Sequence, residues 1–283
     1  MRARVPASTA NLGPGFDTLA IALSWRTDVT IEPAEELCGS TTGEGSQYPL
    51  DEHHLAVRIV KDILGHTRVR ITIDSDIPVS RGLGSSAALS VAVAAAAGHA
   101  DPLSYVALLE GHADNAAAAV LGGFVTATIV GSRVYAARLP LDPELTFVAV
   151  VPERHLATTA ARGTLPRQVP FDDAVTNLGR MGLLIAGMAD HRKLVALAGS
   201  DRLHQPYRTP LFPESVSVLN ALVDAGALTS FWSGAGPTLL GVCRRSKVNE
   251  VCAAGQAALT ASDLRGKAHP LDANSTGLEL SES

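Results

Sequence analysis

The feature that most constrains this sequence is a glycine turn between a strand pattern and a long run of small residues. Residues 69–74 alternate between apolar and polar side chains, as in a half-buried strand. Residues 87–97 are mostly small and long enough for about three turns of helix, and Gly98 follows as a typical helix end. The sequence therefore predicts a strand, a glycine loop and a helix, in that order.

The glycines of this loop suit the binding of an anion. Gly82 and Gly84 lack a Cβ, so the backbone can adopt unusual dihedral angles and bring its N–H groups close to a ligand. Ser85 and Ser86 begin the helix, where unpaired N–H groups and the positive end of the helix dipole favour phosphate. The loop is neither a Walker A loop nor a Rossmann fingerprint, and on spacing alone it could equally be a plain connection.

Composition and net charge limit the kinds of protein and the kinds of partner that the sequence is compatible with. Of 283 residues, 46% are hydrophobic and 18% charged, as in ordinary globular proteins with a sizeable core. The net charge of −5 provides no basic field, so we expect no nucleic acid and no membrane as partners. The three cysteines are too widely spaced to indicate a disulfide framework or a zinc site. The longest apolar run is too short for a bilayer and the first residues lack a signal-peptide core, so we expect a cytoplasmic protein.

The segment PVSRGLGSSA at residues 78–87 resembles the ATP-binding signature of the GHMP kinases, which is long and rarely met by chance. In related kinases the start of an earlier helix, which here begins near residue 55, lies close to the adenine ring. We therefore place residues 53–57 near the base, although a His stands where the family helix has an Asn. The nucleotide contacts that the resemblance implies are Pro78, Arg81, Gly82, Leu83, Gly84, Ser85, Ser86 and Ala87.

A second motif lies near the N-terminus, where residues 5–23 read VPASTANLGPGFDTLAIAL. Pro6 and residues 13–15 are expected to break the chain into turns. Asn11 and Asp17, an amide and a fixed negative charge, suit a zwitterionic substrate, although as isolated residues both could cap turns. The motif is similar to the N-terminal motif of homoserine kinases, and this resemblance implies that Asn11 and Asp17 contact the amino acid.

Residues 103–121 are expected to form one helix that contains the segment EGHADN. Glu110 offers a carboxylate oxygen of the kind that Mg²⁺ prefers, and His112 and Asn115 would share a helix face. Taken alone, a His and an Asn in such a helix more often cap the helix or lie in the core with their hydrogen bonds satisfied. The segment resembles the homoserine kinase sequence that supplies a magnesium carboxylate, here Glu110, and a His and an Asn at the substrate. Leu108 stands where many relatives carry a second acidic residue.

Two arginines lie in segments that match the same family. Arg162 stands in residues 158–166, which resemble the TxxxRxxLP motif, and Arg208 ends the segment DRLHQPYR. A guanidinium can pair with two oxygens of a carboxylate or phosphate at once, whereas a lone surface arginine usually indicates only solvation. Residues 233–237, SGAGP, match the third GHMP motif, a loop that packs beside the phosphate loop, although a hairpin turn is also compatible.

The remaining segments outline the architecture. Residues 38–50 are expected to form a polar loop and residues 272–283 a frayed tail. A strand at residues 145–151, closed by Pro152, is the expected border between two halves. Helices are predicted at residues 216–226 and 247–259, and another is predicted from apolar residues at helical spacing, Val175, Leu178, Gly182 and Ile185.

Taken over the whole chain, the resemblance implies an α+β fold, a two-domain GHMP kinase with mixed and antiparallel sheets and layered helices. We expect an N-terminal ATP-binding domain at residues 1–151 and a C-terminal domain at residues 152–283, with the active site in the cleft between them. The implied reaction transfers the γ-phosphoryl group of ATP to the hydroxyl of L-homoserine. A homodimer is compatible with the sequence.

The resemblance also implies individual roles in this reaction. The phosphate loop holds ATP, while Ser85 and Glu110 hold Mg²⁺. Asn115 and Arg208 align the hydroxyl and stabilise charge in the transition state, and no residue stands out as a general base. The residues implied to orient the amino acid are Asn11, Asp17, His112, Asn115, Arg162 and Arg208.

Three alternatives stay open at this point. A kinase of the same superfamily that acts on mevalonate or shikimate would need other groups at positions 11, 17 and 208. A relative of homoserine kinase that acts on a modified amino acid would look almost identical in sequence. A ligand sensor of the same fold would be expected to have lost part of the phosphate loop or the magnesium carboxylate.

Overall fold

The structure, a computed structural model, describes residues 1–282, which form two β-sheets with helices packed against them. The α+β architecture is therefore as predicted. The strands are β1 (Arg2–Asn11), β2 (Gly15–Pro33), β3 (Cys38–Gly43), β4 (Val69–Ser75), β5 (Phe124–Val130), β6 (Arg133–Leu139), β7 (Leu145–Pro152), β8 (Thr229–Trp232), β9 (Leu239–Arg244), β10 (Gly266–Leu271) and β11 (Glu279–Ser281). The α-helices are α1 (Leu55–Leu64), α2 (Ser85–Ala96), α3 (Pro102–Glu110), α4 (Asp114–Leu121), α5 (Thr158–Gly163), α6 (Phe171–Ala189), α7 (Gln205–Arg208), α8 (Ser215–Asp224) and α9 (Val248–Ala261).

The long strand β2 organises the first sheet, which has seven strands. Its first half pairs with β5 and its second half with β4, while β1 runs antiparallel along both. Pro6, predicted to lie in a turn, instead lies within β1, so that prediction is wrong. The register of the β1–β2 pair shifts between Pro6 and Ala7, and this bulge lets the strand continue past a residue that has no N–H to donate.

The predicted strand, loop and helix around the glycines are confirmed. In β4 the residues alternate strictly between buried and exposed positions. Helix α2 follows Gly84 and lies between the first sheet and the helices α1, α3 and α4. Because it is surrounded on all sides, nearly all of its residues are buried, and alanine and valine let the neighbouring elements approach closely.

The segment expected to be one helix at residues 103–121 is broken into two. Helix α3 ends at Glu110, Gly111 adopts a left-handed conformation with φ of 78°, and α4 begins at Asp114. A single glycine within a helical pattern does not reveal such a break from sequence alone. His112 therefore lies in the turn between two helices, and the expectation that it shares a helix face with Asn115 is wrong.

Two segments predicted to be irregular pair with the first sheet instead. The expected loop at residues 38–50 begins with β3, which lies parallel to β4. In the expected tail, Asn274 O accepts a hydrogen bond from Gly123 N at 2.6 Å, and β11 pairs with β1. Both predictions are wrong because these polar strands are held by their neighbours rather than by apolar residues of their own. Ser283, the end of the expected tail, lies outside the described residues.

The second sheet has four antiparallel strands in the order β10, β7, β9, β8, and helices α8 and α9 pack on it. The strand predicted as the border between the halves, β7, lies within this sheet and pairs with β9 and β10. Since β11 returns to the first sheet, the two sheets do not separate at one point of the chain. The division at residue 151 stays a prediction. Within residues 1–282 no helix has the length and apolar character needed to cross a bilayer.

A buried histidine joins the segment before α7 to the N-terminal loop. His204 is fully buried, and its Nδ1 lies 3.0 Å from Arg208 Nη1. Because an arginine can only donate, Nδ1 accepts, and the proton must be on Nε2, which donates to Gly13 O at 2.7 Å. The N-terminal loop also packs closely against the backbone of Gly199, since a Cβ on Gly13 would lie 2.0 Å from Gly199 O. The loop is thereby fixed in place.

This histidine should make stability depend on pH. Burial lowers the pKa of His204 to about 4, the nearby Arg208 charge adding to the effect. Between about pH 6.5 and pH 4 the unfolded chain therefore binds a proton that the folded chain does not, and the free energy of unfolding falls as pH decreases, by up to about 3 kcal/mol.

Urea unfolding at a series of pH values tests this expectation. His204→Gln, which keeps a neutral donor, should flatten the dependence on pH between pH 6.5 and pH 4, whereas the exposed control His66→Gln should leave it unchanged. Equal slopes for wild type and His204→Gln would contradict the assignment of a neutral buried imidazole.

Candidate active site

A cavity of about 750 Å³ lies where the N-terminal motif, the glycine loop and the loop between β8 and β9 meet. Most residues predicted for the site line it, and Pro78 and Leu83 lie outside the wall that the described residues form. Leu83 is buried beneath the loop. The predicted residues in the wall are Asn11, Asp17, Arg81, Gly82, Gly84, Ser85, Ser86, Ala87, Glu110, His112, Asn115, Arg162 and Arg208.

The glycine loop has no room for side chains. Gly82 and Gly84 have positive φ angles of 76° and 69°. A Cβ on Gly84 would lie 2.0 Å from Ser8 Oγ, and one on Gly82 would lie 2.3 Å from Ser233 O. Both positions therefore require glycine, for backbone conformation and for close approach. The loop leads directly into the N-terminus of α2, whose free N–H groups favour an anion.

The SGAGP loop fixes the glycine loop from the other side, as the sequence predicts. Ser233 Oγ donates to Gly82 O at 2.6 Å, and Thr238 N donates to Arg81 O at 3.2 Å. The same loop reaches the N-terminal motif, because Gly234 N donates to Ala10 O at 3.0 Å. The three motifs thus form one continuous hydrogen-bonded unit.

The predicted magnesium ligands lie at the start of α2, which begins with Ser85, and at the end of α3, which ends with Glu110. Ser86 Oγ donates to Glu110 Oε1 at 2.9 Å, while Ser85 also lines the cavity. Burial raises the pKa of Glu110, and the charge of His112 opposes this effect. A carboxylate and hydroxyls in this position have the chemistry that a divalent cation prefers, and a bound cation would favour the ionised form of Glu110.

Asp114, for which no role is predicted from the sequence, is fully buried and holds both His112 and Asn115. Its Oδ1 lies 2.9 Å from His112 Nδ1 and accepts from Asn115 N at 2.8 Å. Burial of the imidazole opposes protonation, but the hydrogen bond and charge of Asp114 and the charge of Glu110 outweigh it, so the pKa of His112 is raised. The only sequence signal was an acidic residue three positions after the glycine that breaks the helix.

Asn115 lies against the glycine loop. Its Oδ1 accepts a hydrogen bond from Ser8 Oγ at 2.8 Å, and the same oxygen would lie 3.1 Å from a Cβ on Gly84. Its Nδ2 lies 3.4 Å from Asp114 Oδ1. The side chain is therefore held beside the phosphate loop by contacts on both of its polar atoms.

Asp17 and Arg162 form a bidentate ion pair at the cavity wall. Arg162 Nη1 and Nη2 donate to the two carboxylate oxygens of Asp17 at 2.9 and 2.6 Å. Hydrogen bonding to Asp17 raises the pKa of Arg162. Both side chains remain about one-third exposed, so the pair is accessible from the cavity.

Arg208 is buried, with 2% of its surface exposed, yet it also lines the cavity. Its Nη1 donates to Gly234 O at 2.9 Å and to His204 Nδ1. Among the described residues its Nε has no hydrogen-bond partner. Burial lowers the pKa of Arg208 to about 10, and the charge of Arg162 adds to this effect. Arg208 is thus still protonated at neutral pH and places a positive charge at the cavity wall.

Asn11 is already bonded to the protein backbone. Its Nδ2 donates to Gly234 O at 2.8 Å, and its Oδ1 accepts from Asp17 N at 3.0 Å. The residue also has a left-handed backbone conformation, with φ of 70°, which Asn tolerates better than most residues. In this arrangement Asn11 fixes the turn that presents Asp17.

The start of α1, predicted to lie near adenine, supplies His53, His54 and Leu55 to the cavity wall. Ala56 and Val57 face the core instead. The neighbouring wall is not predicted from the sequence, because it depends on the pairing of β3 with β4, which local patterns do not reveal. The residues missed there are Thr27, Thr41, Glu44, Gly45, Tyr48, Pro49, Asp51, Ile73, Ser75 and Val79.

Comparison with known proteins places this site in a family. The family model for the GHMP kinases N terminal domain matches residues 53–123, and the model for GHMP kinases C terminal matches residues 177–261. Homoserine kinase of Moorella thermoacetica is 39% identical over 256 residues, covering 85% of this chain and 86% of the relative. Homoserine kinase of Streptomyces avermitilis is 40% identical over 269 residues, covering 89% and 88%.

Solved structures agree with these matches. The crystal structure of homoserine kinase from Cytophaga hutchinsonii has a TM-score of 0.84 and 26% identity, covering 99% of this chain and 96% of that one. Mevalonate kinase of L. major, at 14% identity and a TM-score of 0.69 with 98% and 97% coverage, shares the fold. From both family domains and the extent of the sequence identity, this chain belongs to the GHMP kinase family and, within it, to the homoserine kinases.

Proposed function

We propose that this chain transfers the γ-phosphoryl group of ATP to the side-chain hydroxyl of L-homoserine, giving O-phospho-L-homoserine for threonine synthesis. The observation that carries the proposal is that one cavity joins a phosphate-binding glycine loop to charges suited to an amino acid, Asp17, Arg162 and Arg208. The 40% identity to a homoserine kinase supports homoserine as the substrate. The magnesium ion, the homodimer, the cytoplasmic location and the absence of nucleic acid and membrane partners stay predictions.

The glycine loop and its neighbours would hold the nucleotide. The N–H groups at the start of α2 would bind the phosphates, and Ser85 and Glu110 would hold Mg²⁺. The donors fit, because they are hard oxygens and because a cation would offset the burial of the Glu110 carboxylate. When bound, Mg²⁺ would neutralise charge on the nucleotide phosphates.

The charged end of the cavity would hold the amino acid. Asp17 would face its ammonium group, and Arg162 and Arg208 its carboxylate, with Asn11 and His112 completing the orientation. An amino acid that enters here would exchange the contacts between Asp17 and Arg162 for contacts with its own two charged groups. This exchange keeps both protein charges paired, which favours a zwitterion over a ligand with one charge.

The transfer itself would depend on positioning. The hydroxyl oxygen attacks the γ-phosphorus, the bond to the oxygen that bridges the β- and γ-phosphorus breaks, and the hydroxyl proton is released. Asn115 would align the hydroxyl, and Arg208 would stabilise the developing charge. The raised pKa of His112 favours the imidazolium form, which suits charge stabilisation better than proton abstraction. We assign no general base.

The substrate can be tested by measuring ADP release with MgATP. We expect L-homoserine to exceed mevalonate and shikimate by at least about 100-fold in kcat/KM, because those acids lack an ammonium group and would leave Asp17 without its partner. L-serine and L-threonine at matched concentrations test the length and branching of the side chain. Binding of ATP with no turnover of any of these alcohols would contradict the proposal and favour a ligand sensor.

The role of the glycine loop in ATP binding can be tested by making the same glycine-to-alanine substitution, in separate variants, before and after α2. Gly84→Ala places a methyl group against Ser8 Oγ, so we expect the KM for ATP to rise at least about tenfold or activity to be lost. Gly98→Ala is the matched control, since Gly98 also has a positive φ, 86°, but no atom lies within 4 Å of its Cβ position. The control should lose only about 1–2 kcal/mol of stability. Equal ATP kinetics in the two variants would remove the loop from the nucleotide site.

The role of Asp17 can be tested by measuring the KM for homoserine and the KM for ATP separately. Asp17→Asn removes the charge proposed to face the ammonium, so we expect the KM for homoserine to rise roughly 10- to 100-fold while that for ATP changes little. Asp272→Asn is the control, because Asp272 forms an ion pair with Arg245 outside the cavity. If Asp17→Asn changes both KM values equally, Asp17 does not belong to the homoserine site.

A further inference from the structure

The ring of Phe16 lies close to both arginines at the charged end of the cavity. The Cζ atom of Arg162 and the Cζ atom of Arg208 each lie 5.5 Å from the centre of this ring. A cation within about 6 Å of a ring centre is attracted by the negative charge of the ring face. Phe16 itself is half-buried and does not belong to the cavity wall that the described residues form. A residue that does not line the cavity thus contacts two residues that do.

Three distant parts of the chain meet at this ring. Phe16 is the second residue of β2, whereas Arg162 belongs to α5 and Arg208 to α7. The residue after Phe16 is Asp17, whose carboxylate accepts from both Nη atoms of Arg162. Two consecutive residues of β2 therefore contact the same guanidinium group, one through a carboxylate and the other through a ring.

The two arginines carry like charges that lie near each other. The charge of Arg162 lowers the pKa of Arg208, in addition to the larger effect of burial. Asp17 neutralises Arg162, but the acceptors bonded to Arg208, His204 and a carbonyl oxygen, are neutral. Because Arg162 is about one-third exposed, repulsion alone would move it toward solvent and away from the buried Arg208. A contact that attracts both cations opposes this separation.

The ring is itself held in place. Phe16 stacks on the imidazole of His204, with 5.2 Å between the ring centres and 29° between the ring planes. His204 is fully buried and its Nε2 donates to Gly13 O, so its position is fixed. The pKa of His204 is lowered to about 4, so the imidazole is neutral at neutral pH and adds no third cation. The ring therefore packs on a fixed and uncharged group.

We propose that Phe16 is a positioning residue, whose ring holds Arg162 and Arg208 together in the free protein so that both are arranged for one carboxylate. This role rests on the proposed function, in which the two arginines face the carboxylate of the amino acid. A ring suits the role better than a second acidic side chain. A carboxylate would bond to the guanidinium N–H groups and compete with the substrate, whereas a ring face attracts the cations without occupying those groups.

The ring contact would persist when the substrate binds. In the proposed exchange Asp17 turns from Arg162 to the ammonium group, and the substrate carboxylate takes its place. Phe16 then remains a contact that both arginines share. A weaker ring contact would let the arginines separate in the free protein, and the substrate would have to bring them together again. The apparent affinity for the substrate then falls with the fraction of protein in which the two arginines are together.

Ring fluorination at position 16 tests this role, because each fluorine withdraws electron density from the ring face and changes the shape of the side chain little. Phenylalanines with one, two or three ring fluorines are incorporated at this single position. We expect the KM for L-homoserine to rise stepwise, to roughly tenfold with three fluorines, while the KM for ATP changes less than about twofold. Phe16→Leu, which removes the ring, should raise the KM for L-homoserine at least as much.

Phe212 provides the matched control. Its ring centre lies 5.2 Å from Cζ of Arg154, and neither residue belongs to the cavity wall within residues 1–282. The same fluorinated residues at position 212 weaken a similar contact between a ring and an arginine. They should leave the KM for L-homoserine and the KM for ATP unchanged, because this arginine does not meet the substrate.

The outcomes separate the role of Phe16 from the proposed function. A KM for L-homoserine that stays constant across the series at position 16 overturns the role of the ring, and so does an equal rise in the KM for ATP. An equal rise across the series at position 212 also overturns it. A wild-type chain that does not phosphorylate L-homoserine overturns the proposed function and this role with it, whereas a constant KM in an active enzyme overturns only the role of Phe16.

Discussion

The active site depends on the close approach of three backbone segments around the glycine loop. Leu83 O accepts a hydrogen bond from Ser8 N at 3.1 Å, and Gly82 O accepts one from Ser233 Oγ at 2.6 Å. Each of the three motifs thus holds the other two, and a side chain at Gly82 or Gly84 would push them apart. Because the protein's own contacts hold the loop in this conformation, its N–H groups are arranged to meet an anion.

Charge is the second constraint on the cavity. Asp17 neutralises Arg162, whereas Arg208 has only neutral hydrogen-bond acceptors, His204 and a carbonyl oxygen. Burial of the imidazole is the main reason why the pKa of His204 is low, and the charge of Arg208 lowers it further. The guanidinium groups of both arginines lie 5.5 Å from the centre of the Phe16 ring. Asp17, Arg162 and Arg208 together therefore carry one excess positive charge, which would favour an anionic group on a ligand bound beside them.

Local sequence pattern predicted the elements whose own residues determine them. The alternation in β4 and the glycine ends of α1 and α2 are visible along the chain, and all three elements are confirmed. The strands β3 and β11 were missed because their polar residues are ordered by a neighbouring strand. For the site, spacing alone indicated only a phosphate loop, and the individual residues came from family resemblance. Neither the spacing nor the family resemblance indicated Asp114, because its hydrogen bond with His112 forms where the helix is interrupted at Gly111.

Helix α6 shows a more general limit of sequence patterns. Apolar residues at helical spacing predict a helix with an apolar face, but they do not say whether that face meets the protein's own core or another molecule. Here the inner face is fixed partly by a polar contact, Asn177 to Pro14, which no apolar pattern could indicate. The consequence is physical coupling between the two faces. A contact that shifts α6 from outside would also shift Pro14, and with it the turn that presents Asp17 to the cavity.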